Sequence, residues 1–173
     1  MNRFRIPSDP AGLNQTLFEM THGLYVLTAV RGGRANGQCL DAAMQITSSP
    51  PRIAIGVGKK SLTHEMIAET GEFILNALDR ENPDSPAIIR RFGFQSGRNV
   101  DKFADFAYEK GENGCPILPN AKAFWECTVI PELTLDLNTH TLFVAQVTQA
   151  GVREEGEPLT YNEYRKTIRG RRK

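Results

Sequence analysis

The segment Gly58-Lys59-Lys60-Ser61-Leu62-Thr63 gathers the residue types in this chain best suited to chemistry. Two lysines and two hydroxyls stand where a strand pattern gives way to a helix pattern. The first turn of a helix offers N–H groups without intrahelical partners and the positive end of the dipole, so a phosphate can settle there. Lys60 would add charge, and Ser61 and Thr63 would add donors. Read locally, the same residues also make a plain helix cap with solvated lysines, and both readings stay open. One geometric argument bears on the choice. If Gln38–Thr47 pairs antiparallel with Arg52–Gly58 across the Ser48–Pro51 turn, Cys39 to Asp41 lie opposite Lys59 to Ser61. A ligand would then place a phosphate at Lys60 to Thr63 and a ring system along Cys39 to Gln45.

Other chemistries find little support. No G-x-G-x-x-G follows a strand, and neither a G-x-x-x-x-G-K-[ST] loop nor a G-x-S-x-G elbow is present. Arg31-Gly32-Gly33-Arg34 reads as a turn. Cys39, Cys115 and Cys127 are odd in number and form no C-x-x-C pair, which argues against a disulfide framework and against zinc or iron–sulfur ligation. His22, His64 and His140 form no metal-ligand pattern. His140 is the one candidate for a protonic role, although it reads equally as a turn or interior histidine. Cys39 reads as a small packed thiol.

The elements that would position these residues are mostly strands. Leu24–Val30, Gln38–Thr47, Arg52–Gly58, Phe73–Leu78, Phe124–Leu137 and Thr141–Gly151 carry strand patterns, with Pro131 marking an edge or bulge. The short turns between the first three suggest an antiparallel meander. One helix opens at Ser61 or Thr63 and stops at Gly71. A second opens at Pro86 and ends at Phe92-Gly93. Six or seven strands with two or three short helices, and no helix after each strand, favour a small, mainly β (α+β) barrel over a doubly wound sheet.

At 173 residues, with 40% apolar and 24% charged, the chain is the size and composition of one globular domain. No apolar run approaches the roughly 20 residues that span a bilayer, and the first ten residues carry no secretory pattern, so a cytoplasmic protein is expected. The net charge of +1 hides an asymmetry: residues 165–173 hold six of the 21 basic residues and no acidic ones. Residues 1–164 then carry 15 basic against 20 acidic, a net of −5, which excludes a general nucleic-acid surface. The division is therefore a domain over 1–164 and a basic tail over 165–173. That tail reads as a solvated end, with contact to nucleic acid as the competing reading.

From about Phe18 to Tyr164 the chain resembles the flavin reductase-like family with the FMN-binding split-barrel fold, and most of all the flavoprotein reductases of anaerobes that work with rubredoxin. The stretches that carry the resemblance are Met44-Gln45-Ile46-Thr47-Ser48 before Pro50-Pro51, Lys60 to Ile67, Phe92-Gly93-Phe94-Gln95-Ser96-Gly97 with Asp101-Lys102-Phe103, Gly114-Cys115-Pro116, Thr139 to Phe143, and Glu157 to Tyr161 with Tyr164. The resemblance implies a Greek-key split barrel that forms a homodimer and binds FMN near the subunit interface. It places Cys39, Asp41, Ala42, Met44 and Gln45 along the isoalloxazine and Lys60, Ser61 and Thr63 on the phosphate. It also counts Lys59, Ser96 and Lys102 among the cofactor-binding positions and puts His140 near the cofactor face. Many relatives have Asn-Ser where this chain has Asp41-Ala42, and a carboxylate cannot donate a hydrogen bond as an amide can.

The implied activity is a flavoprotein oxidoreductase that moves electrons from NADH or NADPH through FMN to an acceptor such as rubredoxin or free flavin. Without C-x-x-C pairs in this chain, a rubredoxin is expected as a separate protein. The alternative is a flavin-binding electron-transfer or sensor module without direct NAD(P)H activity.

Overall fold

The computed structural model describes residues 4–169. Ten strands and a few short helices follow one another as α1 (Pro10–Leu17), β1 (Tyr25–Arg31), β2 (Arg34–Leu40), β3 (Ala43–Ser48), β4 (Pro51–Gly58), α2 (Leu62–Thr70), β5 (Glu72–Leu78), α3 (Ser85–Phe94), β6 (Glu109–Lys110), β7 (Pro116–Ile117), β8 (Ala121–Val129), β9 (Leu135–Leu137), β10 (His140–Val152) and α4 (Tyr161–Glu163). Eight strands make one antiparallel sheet in the order β2-β1-β5-β8-β10-β4-β3, with β9 paired to β10. β6 and β7 form a separate two-stranded ribbon. The mainly β barrel expected from the pattern is thus present, with more and shorter strands than the six or seven anticipated.

Two expected strands are each divided. Gln38–Thr47 breaks at Asp41-Ala42: β2 pairs with β1 from Tyr25↔Leu40 to Arg31↔Arg34, whereas β3 pairs with β4. The chain crosses there from one edge of the sheet to the other, and these consecutive strands do not pair with each other. That unpaired seam is where the barrel is split. Phe124–Leu137 breaks at Pro131, which starts a single 3-10 turn between β8 and β9. Proline has no N–H to give a ladder, so the strand ends before it.

Local chemistry accounts for the other elements. Gly32 and Gly33 both take positive φ, which lets a two-residue turn join β1 to β2. Ser61 caps α2 by accepting from the His64 N–H at 3.1 Å, and Gly71 ends the helix at φ 72°. α1 was not apparent in the sequence pattern: it buries no residue and is held at its start by Asp9, which accepts from the Gly12 N–H at 2.7 Å. At the other end, a π-helical turn runs over Tyr164–Arg169, and the Arg165 guanidinium lies 4.6 Å from the Phe18 ring centre. The remainder of the basic tail, 170–173, lies outside the described residues.

The apolar side chains form two cores. One fills the barrel with Leu27, Ile55, Val57, Phe73, Phe143 and others, and Leu62, Met66 and Ile67 of α2 plug one end of it. The second lies between the sheet and α3, where Ile88, Ile89 and Phe92 meet Val26, Leu78, Phe103 and Tyr164. Asn76, fully buried on β5, joins the two sides. Its Nδ2 donates to the carbonyls of Val26 (3.2 Å) and Pro116 (3.3 Å), and its Oδ1 accepts from the Leu118 N–H at 2.9 Å. Asn76→Ala would leave those backbone groups unpaired out of water. It is expected to cost about 2–4 kcal/mol of unfolding free energy in chemical denaturation.

Candidate functional site

The β4–β10 ladder runs in register from Gln146↔Arg52 to His140↔Gly58, which brings the end of β4 against the β9–β10 turn. Beyond Gly58 the Lys59 N–H donates to the Thr139 carbonyl at 3.0 Å. The Lys59 ammonium reaches Asp136 at 2.7 Å, and the same carboxylate oxygen accepts from the Asn138 N–H at 2.7 Å. Asn138 takes the left-handed conformation (φ 61°) that this tight turn requires. The lysine and the neighbouring Asn138 N–H hold the Asp136 carboxyl below its ordinary pKa. The seam between β2 and β3 faces this corner: the Gly56 N–H donates to the Ala42 carbonyl at 2.9 Å.

Between them lies a cleft of about 730 Å³, lined by residues 38–42, Gly56, Gly58, Lys59, Lys60, Ser61 and Asn138 to His140. Its size is that of a cofactor site. The expected juxtaposition of Cys39 to Asp41 with Lys59 to Ser61 is present. Small residues keep the floor low: a Cβ at Gly58 would stand 3.6 Å from His140 Nε2, and one at Gly56 3.4 Å from the Ala42 methyl. The donors suit a phosphate at one end. Lys60 is exposed and has no ion-pair partner among the described residues. The Ser61 hydroxyl accepts from the helix and keeps its own proton to give, and the α2 N-terminus adds its free N–H groups. His140 is exposed, with Nδ1 2.9 Å from Thr139 Oγ1 and Nε2 over the Gly58 floor.

The other anticipated residues lie elsewhere. Thr63 is buried, and its hydroxyl accepts from Asn36 Nδ2 at 2.9 Å, because it sits on the face of α2 that packs on β2. Lys102 is only 4% exposed and is not among the residues that line this cleft. Its ammonium donates to the carbonyls of Gly37 (2.8 Å) and Phe92 (3.2 Å), and burial pushes its pKa down. Lys102 is therefore not a solvated lysine; its ammonium ties α3 to β2. Ser96 is exposed and accepts from the Arg98 N–H. Met44 and Gln45 line a different cavity, since β3 runs away from the seam. Cys39 is a cleft residue, but burial raises its pKa to about 12, so it stays a thiol.

Sequence reasoning missed Arg98. It donates to both oxygens of Glu65, at 2.5 and 3.3 Å, and to the Lys60 carbonyl at 3.3 Å, clasping the corner from outside. Thirty-three residues separate Arg98 from Glu65, so no local spacing pointed to the pair. Asp136 was missed for the same reason.

The flavin reductase like domain model matches residues 17–168. The chain is 43% identical over 157 residues to the high molecular weight rubredoxin of Moorella thermoacetica, covering 90% of this chain and 67% of that protein. It is 34% identical over 158 residues to the ferric-chelate reductase (NAD(P)H) of Archaeoglobus fulgidus, covering 91% of each. Among solved structures it is similar to flavoredoxin from Methanosarcina acetivorans, with TM-score 0.73, 26% identity and coverage of 89% of this chain and 77% of that one. An NADH:FAD oxidoreductase of Streptomyces globisporus shares the fold at TM-score 0.79 and 22% identity, over 92% of this chain and 93% of that one. The chain therefore belongs to the flavin reductase-like family. It is a flavoprotein oxidoreductase with that family's split-barrel fold.

The hydrogen bonds from Arg98 hold the Glu65 carboxyl below its ordinary pKa. The pair is thus formed at neutral pH and lost as pH falls through that depressed value, when Glu65 takes up a proton. Arg98→Ala and Glu65→Gln should each loosen flavin binding a few-fold at neutral pH. The two effects should not add in a double-mutant cycle, and the coupling should fade in acid. Flavin fluorescence titration at two pH values checks this.

Proposed function

We propose that the cleft holds FMN and that the protein uses NADH or NADPH to reduce it, delivering the electrons to a separate acceptor. One observation carries this reading: the helix corner Lys59 to Ser61, the seam Cys39 to Ala42 and His140 converge on a single cleft of cofactor size. The names of two relatives favour the same chemistry, one an NAD(P)H-dependent reductase and the other a rubredoxin. Bound flavin would supply the site that accepts hydride and releases one or two electrons. The chain's own residues bind and orient it. Lys60, Ser61 and the first N–H groups of α2 take the phosphate, and Lys59, already neutralised by Asp136, stiffens the corner. Backbone groups of residues 39–42 flank the ring. His140 keeps Nε2 available to exchange a proton with the cofactor, because Nδ1 is engaged by Thr139. Asp41 places a carboxylate where many relatives have an amide, which disfavours negative charge on the ring.

A homodimer fits this arrangement. Leu133, Leu135 and Leu137 are each more than two-fifths exposed on the β9 side of the cleft, an apolar strip that a second copy would cover. The cysteines Cys39, Cys115 and Cys127 are all free, which suits a reducing, cytoplasmic setting. No helix among the described residues is long and apolar enough to cross a membrane.

Anaerobic addition of NADH and then NADPH should bleach the flavin absorbance of the loaded protein. Flavin that stays oxidised with both donors would overturn the reductase reading in favour of an electron-transfer or sensor module. Lys60→Ala should weaken FMN binding about 10- to 100-fold, the effect of one charge-assisted phosphate contact. Unchanged affinity would remove the phosphate assignment. His140→Ala should slow reduction more than it loosens FMN, as stopped-flow absorbance would show.

A further inference from the structure

The two ends of the barrel are finished differently. α2 plugs one end, whereas at the other the side chains of Tyr25, Leu75, Trp125 and Val147 line an open cavity of about 450 Å³, with Met44 and Arg52 at its rim. No residue lines both this cavity and the flavin cleft. Along β4, Arg52 is six residues from Gly58, or about 20 Å at strand spacing. The mouth is therefore a second site in its own right.

Its walls are apolar and aromatic. The Tyr25 and Trp125 rings meet edge to face, 6.3 Å apart at 70°, leaving flat ring surface for a planar guest. Met44 adds a polarisable thioether, and it is 60% exposed. Two polar side chains at the rim are engaged with their own loop. The Thr47 hydroxyl donates to the Pro50 carbonyl, and Gln45 Nε2 donates to Ser48 Oγ at 3.1 Å. Arg52 Nε is out of solvent and has no hydrogen-bond partner, and no carboxylate pairs with that guanidinium among the described residues. A guanidinium donor without water or partner is costly, and its planar fork matches a carboxylate.

We infer that the open mouth of the barrel binds a small aromatic carboxylate, with its ring against Tyr25 and Trp125 and its carboxylate on Arg52. An aliphatic acid would leave the ring faces unused, and a neutral aromatic would leave Arg52 unpaired.

Trp125 is the single tryptophan of the chain and lines this cavity, so its emission responds to a guest there, and flavin quenching is held constant by titrating at fixed FMN. Benzoate would be titrated into the protein as purified, with and without added FMN, alongside benzyl alcohol as the neutral comparison. The expected result is a saturable change in Trp125 emission with benzoate and binding at least about tenfold weaker for benzyl alcohol. Arg52→Gln should weaken benzoate by a similar factor while leaving FMN affinity unchanged. The comparison of the two ligands on the unaltered chain decides the matter even if that variant fails to fold. Three results would overturn the proposal: no saturable change at millimolar benzoate, equal binding of acid and alcohol, or benzoate displacing FMN from the cleft. FMN affinity is read separately, so failure here and failure of the flavin assignment are distinguishable.

Discussion

The register of one ladder, β4 against β10, carries the rest of the structure. Pairing Gly58 with His140 sets the start of α2 beside the β9–β10 turn. A shift of one residue would turn every side chain of β4 to the opposite face. Ile53, Ile55 and Val57 would leave the barrel core, so apolar burial enforces the register that assembles the cleft. The site is therefore as stable as the core, although its own residues contribute little to that stability.

α2 does two jobs that reinforce each other. Its inner face closes the barrel with Leu62, Met66 and Ile67, and its first turn presents N–H groups and Ser61 to the cleft. Because the helix is pinned by its own apolar side chains, the donors are held in place before any ligand arrives. Two ion pairs brace the corner from opposite sides, Arg98 with Glu65 and Lys59 with Asp136. Surface pairs of this kind contribute little to folding. Their value here is positional, since each joins segments distant in sequence at the point where a phosphate would sit.

The split in the barrel gives the protein its two openings. Since β2 and β3 form the sheet edges and do not pair, the chain at Asp41-Ala42 is free to flank one cleft. At the far end of β4 the barrel stays open around Trp125. A closed barrel of the same strands would have neither.

The local elements were legible in the sequence because they rest on neighbouring residues. Ser61 and Gly71 bound α2 through capping and positive φ, Gly32-Gly33 turns the first hairpin, and the alternation of Arg52–Gly58 makes a strand. The approach of Cys39 to Asp41 toward Lys59 to Ser61 was legible in part: the short turn between β3 and β4 was read, but Cys39 and Leu40 belong to β2, which pairs with β1, and reach the cleft only because the chain crosses at Asp41-Ala42. What the tertiary structure alone decided was the fate of side chains whose partners lie far along the chain. Lys102 turned inward onto the carbonyls of Gly37 and Phe92, Thr63 went to Asn36, and Met44 and Gln45 went to the opposite mouth. The break at Asp41-Ala42 is of the same kind: each half of that stretch is a good strand by pattern, and the competing partners β1 and β4 divide it. Periodicity and capping act over one or two turns of chain. Burial and hydrogen-bond completion act over the whole fold, and they placed the residues that local rules left undetermined.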